Sequence, residues 1–412
     1  MDKNISAYDR NILRELAHKQ LEYASLPLMH SRIADWYSLN DGNATRPIVQ
    51  LELGSFQDEI IPPMLRCESE TARNIEFSLY RNFLNYELFD DDFPVPDFFP
   101  IGWQLRFNLF GLNIETTGPK EASLGYQYKH PITDLPEDLP KLGKTTFGVD
   151  KEGTLAYKAF VEEIFGDILP AKLVSYCLAA YPTYEAVKLM GMEYFYESMY
   201  THPEELHALM SSIADGYREY FTWLEAESLQ LPTNGRQGVG QGTWGFTHQL
   251  PGTDKPVSAK ASWGYLNSQE SVGISPDMYE EFIFPYYQSL AEMTGLLAYG
   301  CCEPPDKVWQ YVSQYKNLRK VSIPPWSDEK LMGDRLRGTN IVFARKPDPL
   351  FLGTANDFDE VGYTKHIVNT LTAARGCQLE ITFRDIYTIG GNVKKARRAI
   401  EIIREQTEKI WH

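Results

Sequence analysis

The chain predicts an α/β protein built as a (β/α)8 TIM-type barrel with an N-terminal helical extension. In its second half, strand-like and helical segments alternate, which implies a parallel sheet with crossover helices. The alternation is long enough to favour a barrel over a doubly wound sheet. A length of 412 residues, 43% of them hydrophobic, suits one large unit with a sizeable core.

The elements follow in order. Residues 6–37 read as helical, with Ile12, Leu13, Leu16, Leu21, Leu26 and Leu28 on an apolar face that Pro27 interrupts. A first core strand spans 47–53, so residues 1–46 form the extension and 47–412 the barrel. Residues 71–86 read as a helix and the Pro-rich stretch 93–101 as a loop. Residues 115–150 carry turn residues and little periodicity, so they read as a long irregular excursion. Helices are expected over 154–165 and 203–227, the latter opened by Pro203 with Glu204 and Glu205 complementing its dipole.

Beyond residue 262 the reading is clearer. Ser275 caps a helix over 276–293. Strands at 296–300, 320–323, 340–344 and 379–383 alternate with helices at 306–315, 328–336, 361–374 and 392–409. The glycine-rich segment 235–245 follows a helix and opens none, so it lacks the context of a nucleotide loop and reads as a flexible active-site loop.

Composition narrows the function. Against 40 bases stand 56 acids, a net charge of −16 that would repel nucleic acid and anionic membranes. No apolar run approaches the about 18 residues needed to span a bilayer. The first residues lack a secretory layout, and the five cysteines have no regular spacing, which predicts a cytoplasmic protein. The 25 tyrosines and 21 phenylalanines suggest aromatic-lined pockets.

In a (β/α)8 barrel the working face is formed by the loops after each strand. Those exits carry Glu52; Trp263, Asn267, Gln269 and Glu270; Cys301, Cys302 and Glu303; Trp326; Arg345 and Lys346; and Arg384 with Asp385. The adjacent cysteines stand out, because thiolates bind soft metals and attack electrophiles. The same pair also reads as two small buried side chains. A carboxylate at Glu52 is awkward to bury without a partner. Arg345 and Lys346 suit an anionic substrate, whereas Arg384 and Asp385 read equally as a local ion pair. His248 lies in the glycine-rich region as a candidate base or ligand. Asp90, Asp91 and Asp92 read as a solvated loop. Cys377 precedes its strand, at the end opposite Arg384, and is no partner for Cys301.

At Tyr299–Pro304, 317–322 (Asn-Leu-Arg-Lys-Val-Ser) and Arg345-Lys346-Pro347, the chain resembles the uroporphyrinogen decarboxylase-like superfamily. The resemblance extends to 275–282 and 383–388, and is closest to the superfamily's Tyr-Gly-Cys-Cys-Glu branch. It implies a (β/α)8 barrel and one of two chemistries: cofactor-free decarboxylation of porphyrinogen acetates, or zinc-dependent methyl transfer involving corrinoids, folates or thiols. Glu52 stands where the decarboxylases place a substrate-binding arginine, which disfavours a porphyrinogen substrate. Tyr299-Gly300-Cys301 keeps the cysteine of the methyltransferase His-x-Cys pattern and loses its histidine.

The expectation is therefore a methyltransferase acting on a small methylated substrate, with a corrinoid protein as partner. Zinc would be held by Cys301, Cys302 and Glu303, and proton transfer would fall to Glu52, Glu303 and Asp385. His248, Trp263, Glu270, Trp326, Arg345, Lys346 and Arg384 would contact substrate. The alternatives are a metal-independent decarboxylase or lyase, and a non-catalytic binding barrel, which a filled barrel mouth would favour.

Overall fold

A computed structural model describes residues 5–118, 127–240, 242–353 and 357–412. The first residues of the chain, Gln241 in the glycine-rich segment and the middle of the 115–150 excursion lie outside that set.

The extension is two helices. Ala7–Ala24 starts where the Ser6 hydroxyl accepts the Asp9 amide at 3.0 Å. Pro27 restarts the chain as Pro27–Asn40, since proline lacks an amide that the first turn does not need.

The strands, in chain order, are β1 (Ile48–Leu51), β2 (Phe99–Gly102), β3 (Leu105–Asn108), β4 (Thr116–Thr117), β5 (Gln127–Tyr128), β6 (Thr146–Val149) and β7 (Ala171–Val174). They continue with β8 (Leu178–Ala180), β9 (Trp263–Leu266), β10 (Leu296–Tyr299), β11 (Leu318–Ile323), β12 (Val342–Arg345) and β13 (Gln378–Phe383). Seven of them form an all-parallel sheet in the order β1-β13-β12-β11-β10-β9-β8. β2 and β7 form a separate parallel ribbon, and β7 runs through Ser175–Cys177 into β8 at the sheet's edge. The expected irregular region contributes the antiparallel pairs β3–β6 and β4–β5.

The closed barrel expected from the alternation differs from this sheet: among the described residues no strand pairing joins β1 to β8. The free edge of β1 shows why. Its Val49 amide donates to Asp92 Oδ2 and its Leu51 amide to Asp91 Oδ2, each at 2.8 Å, while Val49 O accepts the Asp92 amide at 2.8 Å. Two carboxylates thus take the groups a closing strand would need, and they protect an edge that would otherwise stay open. Asp91 and Asp92 are fully buried, which corrects their reading as a solvated loop. Burial pushes Asp91 up to about 6. Asp92 also accepts from Arg46 at 2.9 and 3.0 Å. Asp92→Ala would strand the buried Val49 amide and leave Arg46 with Asp35 as its remaining carboxylate partner. We expect a loss of about 3 kcal/mol in urea unfolding, and a change below about 0.5 kcal/mol would show that this edge needs no cap.

The sheet nevertheless curls. Five strand steps separate β1 from β9, roughly 24 Å if the sheet were flat. Yet Gln50 of β1 donates to Gly242 O at 2.7 Å, and a Cβ at Gly240 would lie 2.5 Å from the ring of Tyr265 in β9. Both strands therefore reach the same short segment. β1, β9, β10, β11 and β12 are buried along their whole length, so the polar residues they carry, Gln50, Arg319, Lys320, Ser322 and Arg345, are buried with them.

The expected helices form at their positions with two exceptions, and two further helices, Pro182–Met190 and Met192–Thr201, were not expected. The helix expected over 276–293 divides at Ile283 into Pro276–Phe282 and Phe284–Ala291, because Pro285 cannot continue the hydrogen-bond ladder. The helix expected over 306–315 is a 3-10 turn, Pro305–Val308, followed by the single turn Trp309–Val312. The closing helix Val393–Ile410 buries Ala396, Ala399, Ile400 and Ile403, a stripe at helical spacing. No described helix is long and apolar enough to cross a membrane.

Candidate functional site

In a parallel sheet all strands end on one side, and the polar residues that follow them meet there. The Glu52 amide donates to Phe383 O at 2.8 Å, so the exits of β1 and β13 lie side by side. Arg384 Nε is 3.5 Å from Glu52 Oε2 and 3.1 Å from Asp385 Oδ2. Burial alone would lower Arg384, but the flanking Glu52 and Asp385 outweigh it and hold the guanidinium above its ordinary value. Asp385 has φ +56°, in a left-handed region that aspartate tolerates better than most residues.

The β10 exit is tightly built. Gly300 turns the chain at φ +96°, and a Cβ there would lie 3.2 Å from Ser322 Cβ. The Glu303 carboxylate then accepts the Cys301 amide at 2.8 Å and the Ser268 amide at 2.7 Å. Ser322 Oγ donates to Cys301 O at 2.8 Å, and Trp326 Nε1 donates to Cys302 O at 2.6 Å. The loops after β9 and β11 therefore fix the backbone that carries the thiols.

The two sulfurs are 3.7 Å apart, and Cys302 Sγ lies 3.8 Å from Asp385 Oδ2. All five cysteines are free thiols. The hydrogen bond between the two thiols lowers Cys301 to about 7 and the Arg384 charge assists, while burial opposes both. Cys302 moves the other way, raised by the bond to Cys301 and by burial. The first proton therefore leaves the pair more readily than it would leave an isolated thiol, and the charge is favoured on Cys301. Burial brings Lys346, at the β12 exit, down to about 8 against the pull of Glu380.

Glu52, Cys301, Cys302, Lys346, Arg384 and Asp385 therefore share one electrostatic cluster, with Trp326 against it. The other expected site residues lie elsewhere. Arg345 is fully buried and bonds Glu329 at 2.5 Å and Pro324 O at 2.7 Å, because side chains alternate along a strand and it faces away from Lys346. Trp263 is the first residue of β9, at the opposite end of the strand, where its indole donates to Gly245 O at 2.9 Å. His248 bonds Asp41 at 2.7 Å and stacks on Tyr37, at the same far end. Glu270 lies on the strand-end side but accepts from Thr183 Oγ1 at 2.8 Å. Burial raises its pKa.

Glu303 is on site in a role other than the one expected. It is buried, and burial pushes it up to about 8. Both carboxylate oxygens face backbone amides, so they are not presented to a metal beside the thiols. Among the described residues no group of three His, Cys, Asp or Glu side chains is arranged to hold a metal ion. The ligand set Cys301, Cys302 and Glu303 does not fit zinc, and Glu303 acts as a positioning residue for the turn.

The glycine-rich segment was expected as a flexible loop, but it is packed against one face of the sheet. Thr243 Oγ1 donates to Glu380 Oε2 at 2.8 Å, and Lys320 Nζ reaches that oxygen at 2.9 Å. Trp244 Nε1 donates to Gln50 Oε1 at 2.6 Å. Gly240 and Gly242 have φ of +67° and +74°, and a Cβ at Gly242 would lie 2.9 Å from Thr382 and 3.4 Å from Glu52. Glycine is required there for both conformation and space. The described residues of the segment line the inner side of the curl, with Gly242 beside Glu52 of the strand-end cluster.

Sequence reasoning missed Ser268, Ser322 and Tyr265. Tyr265 OH lies 3.3 Å from Gly300 O and accepts from Asn267 at 3.2 Å. The two-residue alternation of a strand could have marked Ser322 as facing the same side as Lys320.

No protein-family model matches the chain, and no curated protein matches it. Among solved structures, a methyltransferase from Methanosarcina mazei is similar in fold, with a TM-score of 0.51 and 12% identity. The match covers 92% of this chain and 98% of that one.

Proposed function

We propose that the protein is a methyl-transfer enzyme in which the Cys301 thiolate takes a methyl group from a small methylated substrate. The observation that carries this reading is the thiol pair at the strand ends, where Cys302 and Arg384 bring Cys301 to about 7. A thiolate available at neutral pH is a strong nucleophile toward carbon. The sulfur–carbon bond forms as the bond from the methyl carbon to its heteroatom breaks, and the heteroatom leaves with the electron pair. Cys302, which keeps its proton, can supply it to the leaving group. Arg384 and Lys346 suit an anionic substrate, and Trp326 offers an exposed aromatic face beside it. The onward acceptor is proposed to be a corrinoid on a partner protein, as the superfamily resemblance implies. The fold likeness to a protein named a methyltransferase agrees with this reading.

The test is peptide mass spectrometry after incubation with methylated amines, methyl thioethers and methoxylated aromatics. A gain of one methyl on the Cys301 peptide, absent in Cys301→Ser, is the expected result. The reading fails if no donor class methylates wild-type protein.

The same cluster supports a second reading, a metal-independent decarboxylase. Two cations, Arg384 and Lys346, sit at one mouth, and a carboxylate held by them could lose carbon dioxide. Carbon dioxide release that persists in Cys301→Ser would select this reading over methyl transfer.

A further inference from the structure

Beside the thiol cluster lies a cavity of about 510 Å³ between β1, the β2–β7 ribbon and the glycine-rich segment. Two arginines line it. Arg81 comes from the helix Glu70–Leu88, and Arg236 from the glycine-rich segment. In a chain with 56 acids and 40 bases, cations are usually matched by carboxylates. Here the one acid on the wall is Glu52, which already faces Arg384 at 3.5 Å. Among the described residues neither Arg81 nor Arg236 makes an ion pair, although other buried or half-buried arginines such as Arg32, Arg46 and Arg345 do.

Arg236 is held in place without neutralisation. Its Nε donates to Pro94 O at 2.5 Å, and its guanidinium sits 4.6 Å from the ring centres of both Phe93 and Trp244. Trp244 is itself anchored to Gln50. Such stacking orients a guanidinium and leaves its terminal nitrogens for a ligand. Burial, with repulsion from Arg81, brings Arg236 down to about 9. Two like charges on one cavity wall repel each other, and an anion between them would relieve that repulsion.

We propose that this cavity binds a small organic anion whose carboxylate or phosphate group is held between Arg81 and Arg236. The volume lies in the range of small-molecule sites, and aromatic and amide groups complete the wall. Paired guanidiniums match the planar, multi-oxygen geometry of both groups. The inference does not rest on methyl transfer, since Glu52 alone belongs to both sites.

The test is titration calorimetry of the full chain with inorganic phosphate, glutarate and neutral glutaramide. We expect one of the two anions to bind and glutaramide to show no heat; which anion binds distinguishes phosphate from carboxylate recognition. Arg81→Gln and Arg236→Gln should each weaken that binding at least tenfold. Arg81 is exposed, so its substitution leaves the fold intact. Cys301→Ser should bind as wild type does, which separates this outcome from the fate of the thiol reading. The proposal is overturned if neither anion binds, or if Arg81→Gln binds within twofold of wild type.

Discussion

Replacing Lys320 with alanine is expected to destabilise the protein by about 3–5 kcal/mol, the range for breaking a buried ion pair from one side. Lys320 and Glu380 are both fully buried, and their side chains meet at 2.9 Å. The ammonium also donates to Thr243 Oγ1 and lies 5.3 Å from the Trp36 ring centre. It therefore ties β11, β13, the glycine-rich segment and the N-terminal extension together. Burial holds Lys320 below its ordinary pKa, with Glu380 pulling against that burial. Glu380 Oε1 has no hydrogen-bond partner among the described residues. Without Lys320 the buried carboxylate would keep only the Thr243 hydroxyl as a partner, and a cavity would open beside it. A Lys320→Met, Glu380→Leu double variant removes both charges, and should recover most of the loss. Urea midpoints of the single and the double variant measure this. Single-variant losses below about 1 kcal/mol would show that the pair does not hold the segment in place.

The second large effect concerns Cys302. Its bond to Cys301 is the chief reason that thiol falls to about 7. Cys302→Ala should move Cys301 back toward the ordinary thiol value near 9. The sign is direct: a lowered thiol pKa means more thiolate at neutral pH, and loss of the donor means less. Each unit of upward shift removes roughly tenfold of the thiolate on the acid side of the pKa, so reactivity at pH 7 should fall by about tenfold or more. Cys302→Ser restores an O–H donor and should retain most of the reactivity. Equal losses in both variants would indicate disrupted packing instead of a lost hydrogen bond.

How much of this was legible follows from the range of each interaction. Strands and helices beyond residue 262 were readable because apolar runs, caps and turn residues are local signals. Ser275 marked a helix start and Pro27 the break in the first helical stretch, whereas the consequence of Pro285 was overlooked. The edge cap by Asp91 and Asp92 was not readable, because three consecutive acids look solvated until β1 lies against them. Strand-exit reasoning collected Glu52, Cys301, Cys302, Lys346, Arg384 and Asp385, whose common feature is position along parallel strands. It failed for Arg345 and Trp263, because the face and the end of the strand decide where a side chain points. Lys320 and Glu380 are 60 positions apart and meet only through the register of β11, β12 and β13. Arg81 and Arg236 are likewise joined only by the tertiary fold.

The central claim is that Cys301 is a thiolate near neutral pH and Cys302 is not. Iodoacetamide alkylation across pH 5 to 10, followed by peptide mass spectrometry, tests it directly. Cys301 should react first, with a half-maximal rate near pH 7, while Cys302 is modified slowly throughout. A Cys301 profile with its midpoint near 9, or Cys302 reacting first, would contradict it.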